Sequence, residues 1–341
     1  MSARTPGDRV RGLLVAAVVV AATAGVVAVG LGAYADHVAV RDTAAPVPRM
    51  EVADVEDGPR VVFRSTAPGA EYGRVAMVPL ADPVGPRAFT DVTCERVDVG
   101  GDRVACLRTE RGVVTTFAAQ LLDEGWRVAG SWPLAGLPSR TRLSDDGALV
   151  ATTTFVTGHS YAGSGFSTRT EIRSARDGEV VAGDLEELAL LVDGRPLTAA
   201  DRNLWGVTFA GGDAFYATAA SGGRTWLVRG DLAERTLTAV RPDAECPSIS
   251  PDGTRLAYKK DRGERDWGIA VLDLETGEEL ILPEARSVDD QLEWLDDETL
   301  LYGLPRPDEP GAADVWSIRV DPSAEPRLFL PHAWSPAVVR G

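Results

Sequence analysis

Residues 246–282, CPSISPDGTRLAYKKDRGERDWGIAVLDLETGEELIL, decide the fold of this chain. The segment divides into four short runs rich in β-branched and aromatic residues. They are separated by the turn Pro251-Asp252-Gly253, a polar loop and a second turn at Thr276-Gly277. Runs of about four to eight such residues between turn signals are typical of consecutive antiparallel strands. The segment therefore predicts one four-stranded antiparallel sheet.

Weaker copies of this unit recur along the chain. Each copy has a Gly- or Asp-containing turn followed by a strand, and the turns are centred on Gly58, Gly101, Gly147, Gly212, Gly253 and Asp297. Their spacings are 43, 46, 65, 41 and 44 residues. Four of these match the period of about 40–50 residues of a propeller blade, and the long one contains an insertion. Blades packed face to face around an axis bury both faces of each sheet, so six copies predict an all-β, six-bladed β-propeller over residues 56–341. Seven blades is the alternative count.

The two ends of the repeat region predict how the ring closes. Trp334-Ser335-Pro336 resembles Ile249-Ser250-Pro251, which ends the first strand of the clearest unit. We therefore expect a C-terminal strand to complete the blade that begins near residue 60.

An apolar run of 22 residues, Gly12 to Ala33, precedes the repeats. A helix of this length, at ~1.5 Å per residue, crosses a hydrocarbon core of ~30 Å. Arg4, Arg9 and Arg11 lie before the run and acidic residues follow it. By the positive-inside rule, we expect residues 1–11 to lie in the cytoplasm and the residues after the run to lie outside it.

We expect residues 12–33 to form a retained single-pass transmembrane anchor. The alternative is a signal sequence cleaved after Ala35, because Ala33-Tyr34-Ala35 has the small-x-small pattern that a signal peptidase accepts. Residues 36–55 contain prolines, small residues and charges, which predicts an extended linker with room for a strand in its later half.

The composition excludes two classes of protein. With 44% hydrophobic and 25% charged residues, the chain is not a disordered one. It has 51 acidic and 35 basic residues and a formal net charge of −16. Phosphate neutralisation needs a surplus of Lys and Arg, so we expect no nucleic-acid partner.

Three cysteines in an exported chain raise the question of a disulfide. Cys94 and Cys106 flank the turn signal at 99–102, so pairing of the flanking strands would place them opposite each other. The alternative is that both are small buried hydrophobic residues. Cys246 is left without a partner. The three histidines are scattered and no Cys/His spacing indicates zinc, so we predict no metal and no cofactor.

The sequences SPDGTRLAY at 250–258 and IAVLDLETGEE at 269–279 resemble the TolB-like, WD40-like propeller repeat. The same repeat occurs in the propeller domains of prolyl-oligopeptidase relatives. The resemblance extends over about residues 55–341 through SDDG at 144–147 and WLDDETLLYG at 294–303. It implies a six-bladed propeller of the cell envelope. TolB itself carries an additional N-terminal α/β domain, and this chain has the apolar run and linker in its place.

The sequence contains no catalytic constellation. A peptidase of the prolyl-oligopeptidase type needs an α/β-hydrolase domain with a G-x-S-x-G elbow, and the predicted propeller occupies the chain. The nearest string, Gly158-His159-Ser160-Tyr161-Ala162, lacks the final Gly and lies between two predicted strands. Acidic pairs in the turns do not have EF-hand spacing. We therefore predict that the protein is not an enzyme.

Loops on one face of the propeller are the predicted recognition surface. Loops that join the second strand to the third share a face with the connections between blades, and the PDG-type turns lie on the other face. Scaffold loops commonly carry binding sites, so we expect surface recognition residues at His159, Tyr161, Arg262, Arg265 and Trp334. The alternative for each is a solvated loop residue without a partner.

These features predict a membrane-anchored, extracytoplasmic propeller that acts as a non-enzymatic protein–protein interaction scaffold for an envelope protein. The alternative is a sensor that binds a small molecule or carbohydrate in the axial channel. An enzyme is the third hypothesis, and it requires ionisable groups that converge at the channel mouth.

Overall fold

The computed structural model describes residues 47–156, 167–264 and 266–340, together with nine helical positions between Val18 and Gly32. The described residues form 27 strands and two short 3-10 helices, Val52–Asp54 and Leu185–Glu187. In chain order the strands are β1 (Arg49–Met50), β2 (Arg60–Ser65), β3 (Arg74–Pro79), β4 (Arg87–Thr93), β5 (Arg96–Gly100), β6 (Arg103–Glu110), β7 (Thr116–Leu122), β8 (Val128–Pro133), β9 (Leu137–Leu143), β10 (Leu149–Val156), β11 (Ser167–Ser174), β12 (Val180–Ala182), β13 (Ala189–Val192), β14 (Arg195–Pro196), β15 (Asn203–Phe209), β16 (Ala214–Ser221), β17 (Arg224–Asp231), β18 (Thr236–Pro242), β19 (Ala244–Ile249), β20 (Arg255–Asp261), β21 (Trp267–Asp273), β22 (Glu279–Ile281), β23 (Glu293–Asp296), β24 (Thr299–Pro305), β25 (Ala313–Arg319), β26 (Arg327–Leu330) and β27 (Ala333–Val339).

Six sheets are formed by the described strands, and each is one blade. Blade 1 contains β27 and β2–β4, blade 2 β5–β8, blade 3 β9–β12, blade 4 β15–β18, blade 5 β19–β22 and blade 6 β23–β26. The innermost strands β27, β5, β9, β15, β19 and β23 neighbour one another around a central axis. The predicted all-β, six-bladed architecture is therefore confirmed, and the seven-bladed alternative is wrong.

The ring closes through the C-terminal strand. β27 is the innermost strand of blade 1 and pairs antiparallel with β2, with Val338 opposite Val61 and Trp334 opposite Arg64. Closure of this kind removes the exposed edge that β2 would otherwise present. The predicted completion of the first blade by a C-terminal strand is confirmed.

Two blades carry extra outer strands. β1 pairs parallel with β4 and lies in the later half of residues 36–55, where the sequence analysis left room for a strand. β13 pairs parallel with β18 and lies in the insertion predicted between Gly147 and Gly212. In both blades the added strand covers part of an open outer edge, whose backbone groups would otherwise be unpaired.

The recurring Ser-x-Asp-Gly turn explains why the repeat is visible in the sequence. The Ser250 hydroxyl accepts a hydrogen bond from Arg255 N at 2.9 Å and donates to Asp252 Oδ1 at 2.6 Å. Gly253 has φ +73°, a region that favours glycine. The same hydroxyl contacts recur at Ser144 in blade 3. The turn is stabilised by contacts within a few residues, so its sequence signature is local.

The core lies between blades. One cluster packs Ile269 and Val271 of blade 5 against Trp294 and Tyr302 of blade 6. The Trp294 indole Nε1 donates to Ser248 O at 2.9 Å, which satisfies its polar atom while the ring is buried. Neighbouring blades therefore supply each other with the apolar surface that a single sheet lacks.

Cys94 and Cys106 form a disulfide. Cys106 lies in β6 opposite Val97, and Cys94 precedes β5 and donates its N–H to Gly73 O. The sequence analysis expected the two residues to lie directly opposite each other in the hairpin, and they do not. The bond instead ties the connection between blades 1 and 2 to the second strand of blade 2.

No helix among the described residues is long and apolar enough to cross a membrane. Residues 1–11 and most of 12–33 lie outside the part of the chain that the structure describes. The transmembrane anchor, like the alternative cleavage after Ala35, therefore stays a prediction.

Candidate functional site

A cavity of about 1340 Å³ opens on one face of the propeller, over blades 3, 4 and 5. It is lined by the ends of second strands and the beginnings of third strands, including Phe155, Thr168, Ala220, Arg224, Lys259 and Trp267. This face carries the loops between second and third strands, which the sequence analysis assigned to recognition. We call this space the mouth cavity.

The axial channel below the mouth cavity is filled by side chains. Arg142 of blade 3 reaches across the axis to the carboxylate of Glu293 in blade 6, and its Nη2 donates to Leu292 O at 3.0 Å. Gln291 Nε2 donates to Val207 O of blade 4 at 3.1 Å. The voids beside Arg142 measure only about 20 Å³ and about 40 Å³. The mouth cavity is therefore a blind, off-axis depression.

Arg96, Arg140 and Lys259, which come from three different blades, form the charged floor of the cavity. Arg96 Nη1 donates to Asp290 Oδ1 at 2.8 Å, and Lys259 Nζ donates to Asp289 Oδ1 at 2.6 Å. Burial, followed by the nearby Arg140 charge, lowers the pKa of Arg96 to about 10, while Asp290 opposes the shift. Arg96 therefore stays positively charged at neutral pH.

Lys259 also keeps its charge. Burial lowers the pKa of Lys259. Its interactions with Cys246, Asp289 and Glu245 are stronger than the effect of burial, so the pKa lies above its usual value. Its ammonium nitrogen lies 4.4 Å from the ring centroid of Trp267, within cation–π range. Burial raises the pKa of Glu245, and its carboxylate accepts from Trp267 Nε1 at 3.4 Å.

Cys246 lies where the innermost strands β15 and β19 approach each other closely. It has a left-handed φ of +49°, and its N–H donates to Thr218 Oγ1 at 2.8 Å. A Cβ at Gly206 in β15 would lie 2.8 Å from the Cys246 Cα. The thiol is not part of a disulfide and lines the cavity beside Arg140.

The fold is similar to those of several solved structures. TolB from Acinetobacter baumannii aligns with a TM-score of 0.57 and 16% identity, over 83% of this chain and 67% of that one. A propeller in a nidogen/laminin complex aligns with a TM-score of 0.51 and 12% identity, over 82% of this chain and 98% of that one. The fold is a TolB-like six-bladed β-propeller.

Other comparisons add little to this. A puromycin-hydrolysing peptidase from Mycobacterium tuberculosis aligns with a TM-score of 0.49 and 18% identity, over 80% of this chain and 44% of the peptidase. No protein-family model matches the sequence, and no curated protein is significantly similar to it. Similarity at these identities establishes the fold of the TolB-like propeller and leaves its function to the site.

Three of the five predicted recognition residues, His159, Tyr161 and Arg265, lie outside the described residues. Phe155 and Thr168, on either side of the segment 157–166, line the mouth cavity. The recognition roles of the three residues stay predictions.

Arg262 lies on the predicted face of the TolB-like propeller, but its guanidinium is engaged within the chain. Nη1 donates to Glu284 O at 2.9 Å, and Nη2 donates to Asp266 Oδ1 at 2.8 Å and to Ala285 O at 3.3 Å. The side chain therefore holds the β20–β21 loop against the connection to blade 6.

Trp334 is half-buried in β27, and its role as a surface recognition residue stays a prediction. Its ring centroid lies 4.9 Å from the Arg96 guanidinium carbon, and the ring fills the space where Gly303 has no side chain. The position follows from ring closure, which makes the C-terminal segment an innermost strand.

Sequence reasoning did not select Arg96, Arg140, Lys259 or Cys246 as site residues. One signal was available for Lys259, because Lys259 and Lys260 are the two lysines of the chain and both stand in the predicted strand TRLAYKK. The arginines carried no such signal among 35 basic residues. Among the described residues there is also no group of three or more side chains arranged to hold a metal ion.

Proposed function

We propose that this TolB-like propeller is a non-enzymatic, membrane-anchored binding module outside the cytoplasm, with the mouth cavity as its ligand site. The observation that carries the proposal is the cavity itself. Its volume exceeds the ~300–1,000 Å³ of ordinary ligand pockets, and its lining combines three aromatic side chains with seven charged ones. This combination suits the binding of a small molecule.

The position of the cavity changes where the ligand is expected. The sequence analysis placed a small-molecule or carbohydrate ligand in the axial channel. Side chains of blades 3 and 6 fill that channel, and open volume lies beside the axis over blades 3–5. We therefore infer off-axis binding.

The charges of Arg96 and Lys259 suit binding rather than proton transfer. General acid–base catalysis works best with a group whose pKa lies near the working pH. Arg96 and Lys259 both stay protonated at neutral pH. Asp290 accepts a hydrogen bond from Arg96, and Asp289 accepts one from Lys259. Such a floor provides fixed positive charges for a ligand.

Two features of the chain support a location outside the cytoplasm, one in the sequence and one in the structure. The apolar run at 12–33 is long enough to span a membrane, and arginines precede it. A disulfide between Cys94 and Cys106 suits an oxidising compartment outside the cytoplasm.

A matched pair of variants tests the ligand site. Ala200 is an exposed turn residue that lines the cavity, and Ala233 is an exposed turn residue between β17 and β18 on the opposite face. The full-length protein would be purified from envelope of the source cell, and small molecules released on denaturation would be identified by mass spectrometry. We expect the same compound from the wild type and from Ala233→Trp, and its loss from Ala200→Trp. Equal recovery from both variants would contradict the proposal.

A protein–protein interaction scaffold for an envelope protein is the second candidate. The loop between β6 and β7 exposes two apolar side chains on the same face, Val113 at 108% and Val114 at 74% exposure. Exposed apolar groups that cluster at a loop tip are characteristic of interaction sites. The similarity in fold to TolB agrees with this candidate.

The scaffold candidate has its own test. Full-length protein would be crosslinked in the envelope and purified, and the Val113→Ser/Val114→Ser double variant would be compared with Val84→Ser. Val84 is an exposed valine in the β3–β4 turn on the opposite face. A partner captured by the wild type and Val84→Ser but lost in the double variant supports the scaffold. A partner captured equally by all three proteins would place the contact elsewhere.

A further inference from the structure

We propose that the mouth cavity selects amphipathic acids, in which a flat apolar body is joined to a carboxylate that Arg140 binds. The proposal rests on the proposed function, because it names the chemical class of ligand for the same cavity. Four basic and three acidic side chains are among its described lining residues, although the chain as a whole has a net charge of −16. The lining therefore carries one more basic than acidic side chain, in contrast to the acidic chain as a whole.

Arg140 is the floor cation whose nearest carboxylate is the most distant, although burial is outweighed by Cys246, Asp290 and Asp289, which raise its pKa. Its nearest carboxylate oxygen, Asp289 Oδ1, lies 3.8 Å away and is bound by Lys259 at 2.6 Å. Its Nη1 donates to the Ser139 carbonyl, and its Nη2 donates to the Asp289 carbonyl at 3.5 Å. Its Nε makes no hydrogen bond within the described part of the chain.

The other two floor cations differ from Arg140. Arg96 has its own carboxylate, Asp290, at 2.8 Å, and Lys259 has Asp289. Guanidinium groups form their strongest contacts with carboxylates in planar, bidentate geometry. A ligand carboxylate beside Arg140 would supply the close negative partner that the protein does not.

The walls select the rest of the ligand. Trp205 of blade 4, Trp267 of blade 5 and Phe155 of blade 3 line the cavity above the floor. Aromatic rings favour flat apolar partners through stacking and edge-to-face contacts. Charge at the floor and rings on the walls together match a molecule with an aromatic body and one acidic end.

Isothermal titration calorimetry of the full-length protein with three probes of one shape tests the inference. The probes are 2-naphthoate, neutral 2-naphthamide and cationic 2-naphthylmethylammonium. We expect naphthoate to bind about tenfold tighter than the amide, as for one charge-assisted contact, and the ammonium to bind most weakly. In Arg140→Gln, naphthoate should weaken to the level of the amide while amide binding is unchanged.

Two further variants keep the test decisive. Arg140→Lys retains the charge and should retain part of the preference for the acid, which shows that a folded cavity is being measured. Arg176→Gln removes an exposed charge in the β11–β12 turn on the opposite face and should leave all three affinities unchanged.

The outcomes separate this inference from the proposed function. Equal affinities of wild-type protein for naphthoate and naphthamide, both lost in Ala200→Trp, would overturn the selection of acids and leave the ligand site standing. Naphthoate selectivity that survives in Arg140→Gln would overturn the role of Arg140. Binding of none of the probes would overturn the inference and count against the ligand site as well.

Discussion

Gly206 shows how one residue controls the approach of two blades. It has φ +67°, and its missing side chain allows β15 to lie against the backbone of Cys246 in β19. Backbone atoms cannot move aside as the end of a flexible side chain can. The position therefore requires glycine for two separate reasons, one conformational and one steric.

Replacement of Gly206 by alanine separates these two reasons. We expect Gly206→Ala to lower the free energy of unfolding by about 3 kcal/mol, from left-handed strain and from the clash with Cys246. The control Gly212→Ala has φ +56° and no heavy atom within 4 Å of its new Cβ, so it should lose only about 1 kcal/mol. Urea denaturation measures the free energy of unfolding of both variants. Equal losses in Gly206→Ala and Gly212→Ala would contradict the steric contribution.

Glu186 predicts a pH dependence of stability. Burial and, after it, the nearby charge of Asp184 raise the pKa of Glu186 to about 7, while Arg202 opposes the shift. The folded chain then binds more protons at this site than the unfolded chain, so the contribution of Glu186 to stability falls as the pH rises from about 4 to about 7.

The variant Glu186→Gln removes this titration. We expect the Tm of the variant minus that of the wild type to increase between about pH 4 and pH 7 and to level off above that range. Thermal melts at constant ionic strength measure the difference. The exposed neighbour Glu187→Gln controls for the loss of one charge, and parallel profiles for the two variants would refute the prediction.

At the scale of the element, a blade is specified by contacts that are close in the sequence. The Ser250 hydroxyl binds within its own turn, and the strands that follow pair with their neighbours along the chain. Strand type, order and turn positions could therefore be predicted from the sequence.

The register of the strands was harder to predict, and Cys94 and Cys106 show why. Their disulfide depends on where the connection between blades 1 and 2 turns, which the spacing around the hairpin does not contain.

The disulfide is expected to stabilise the fold measurably. Its two cysteines are 12 residues apart, and closing a loop of this length constrains the unfolded chain by about 3 kcal/mol. The double variant Cys94→Ser/Cys106→Ser should lose about that much in urea denaturation. Alkylation of the unfolded wild type should modify one cysteine before reduction and three after it. Three modified cysteines without reduction would show that the bond is absent.

At the scale of the whole molecule, the ring depends on contacts between distant parts of the chain. β27 pairs with β2, and Val338 N and Arg340 both contact Glu293 of blade 6. Blade 1 is thus incomplete without residues from the other end of the chain.

Removal of the closing strand should therefore affect the entire propeller. We expect a chain that ends at residue 331 to lose its cooperative thermal transition, because β2 is left as an open edge. Addition of a peptide of residues 332–341 should restore the transition, whereas a peptide of the same composition in scrambled order should not. A cooperative transition in the truncated chain without peptide would show that closure by β27 is dispensable.

The sequence by itself determined the strands and turns within each blade, and it favoured six blades over seven. These features arise from hydrogen bonding and alternation of apolar residues within about 40 residues of chain. The apolar run at 12–33 likewise predicts the membrane anchor from local composition.

Only the tertiary structure decided the mouth cavity and its chemistry. Arg96 meets Asp290 across 194 positions of the sequence, and Arg142 meets Glu293 across 151. Which side chains converge depends on the height of each innermost strand along the axis and on how neighbouring blades are rotated. No local pattern encodes that geometry, because it arises only when six sheets pack into one closed ring.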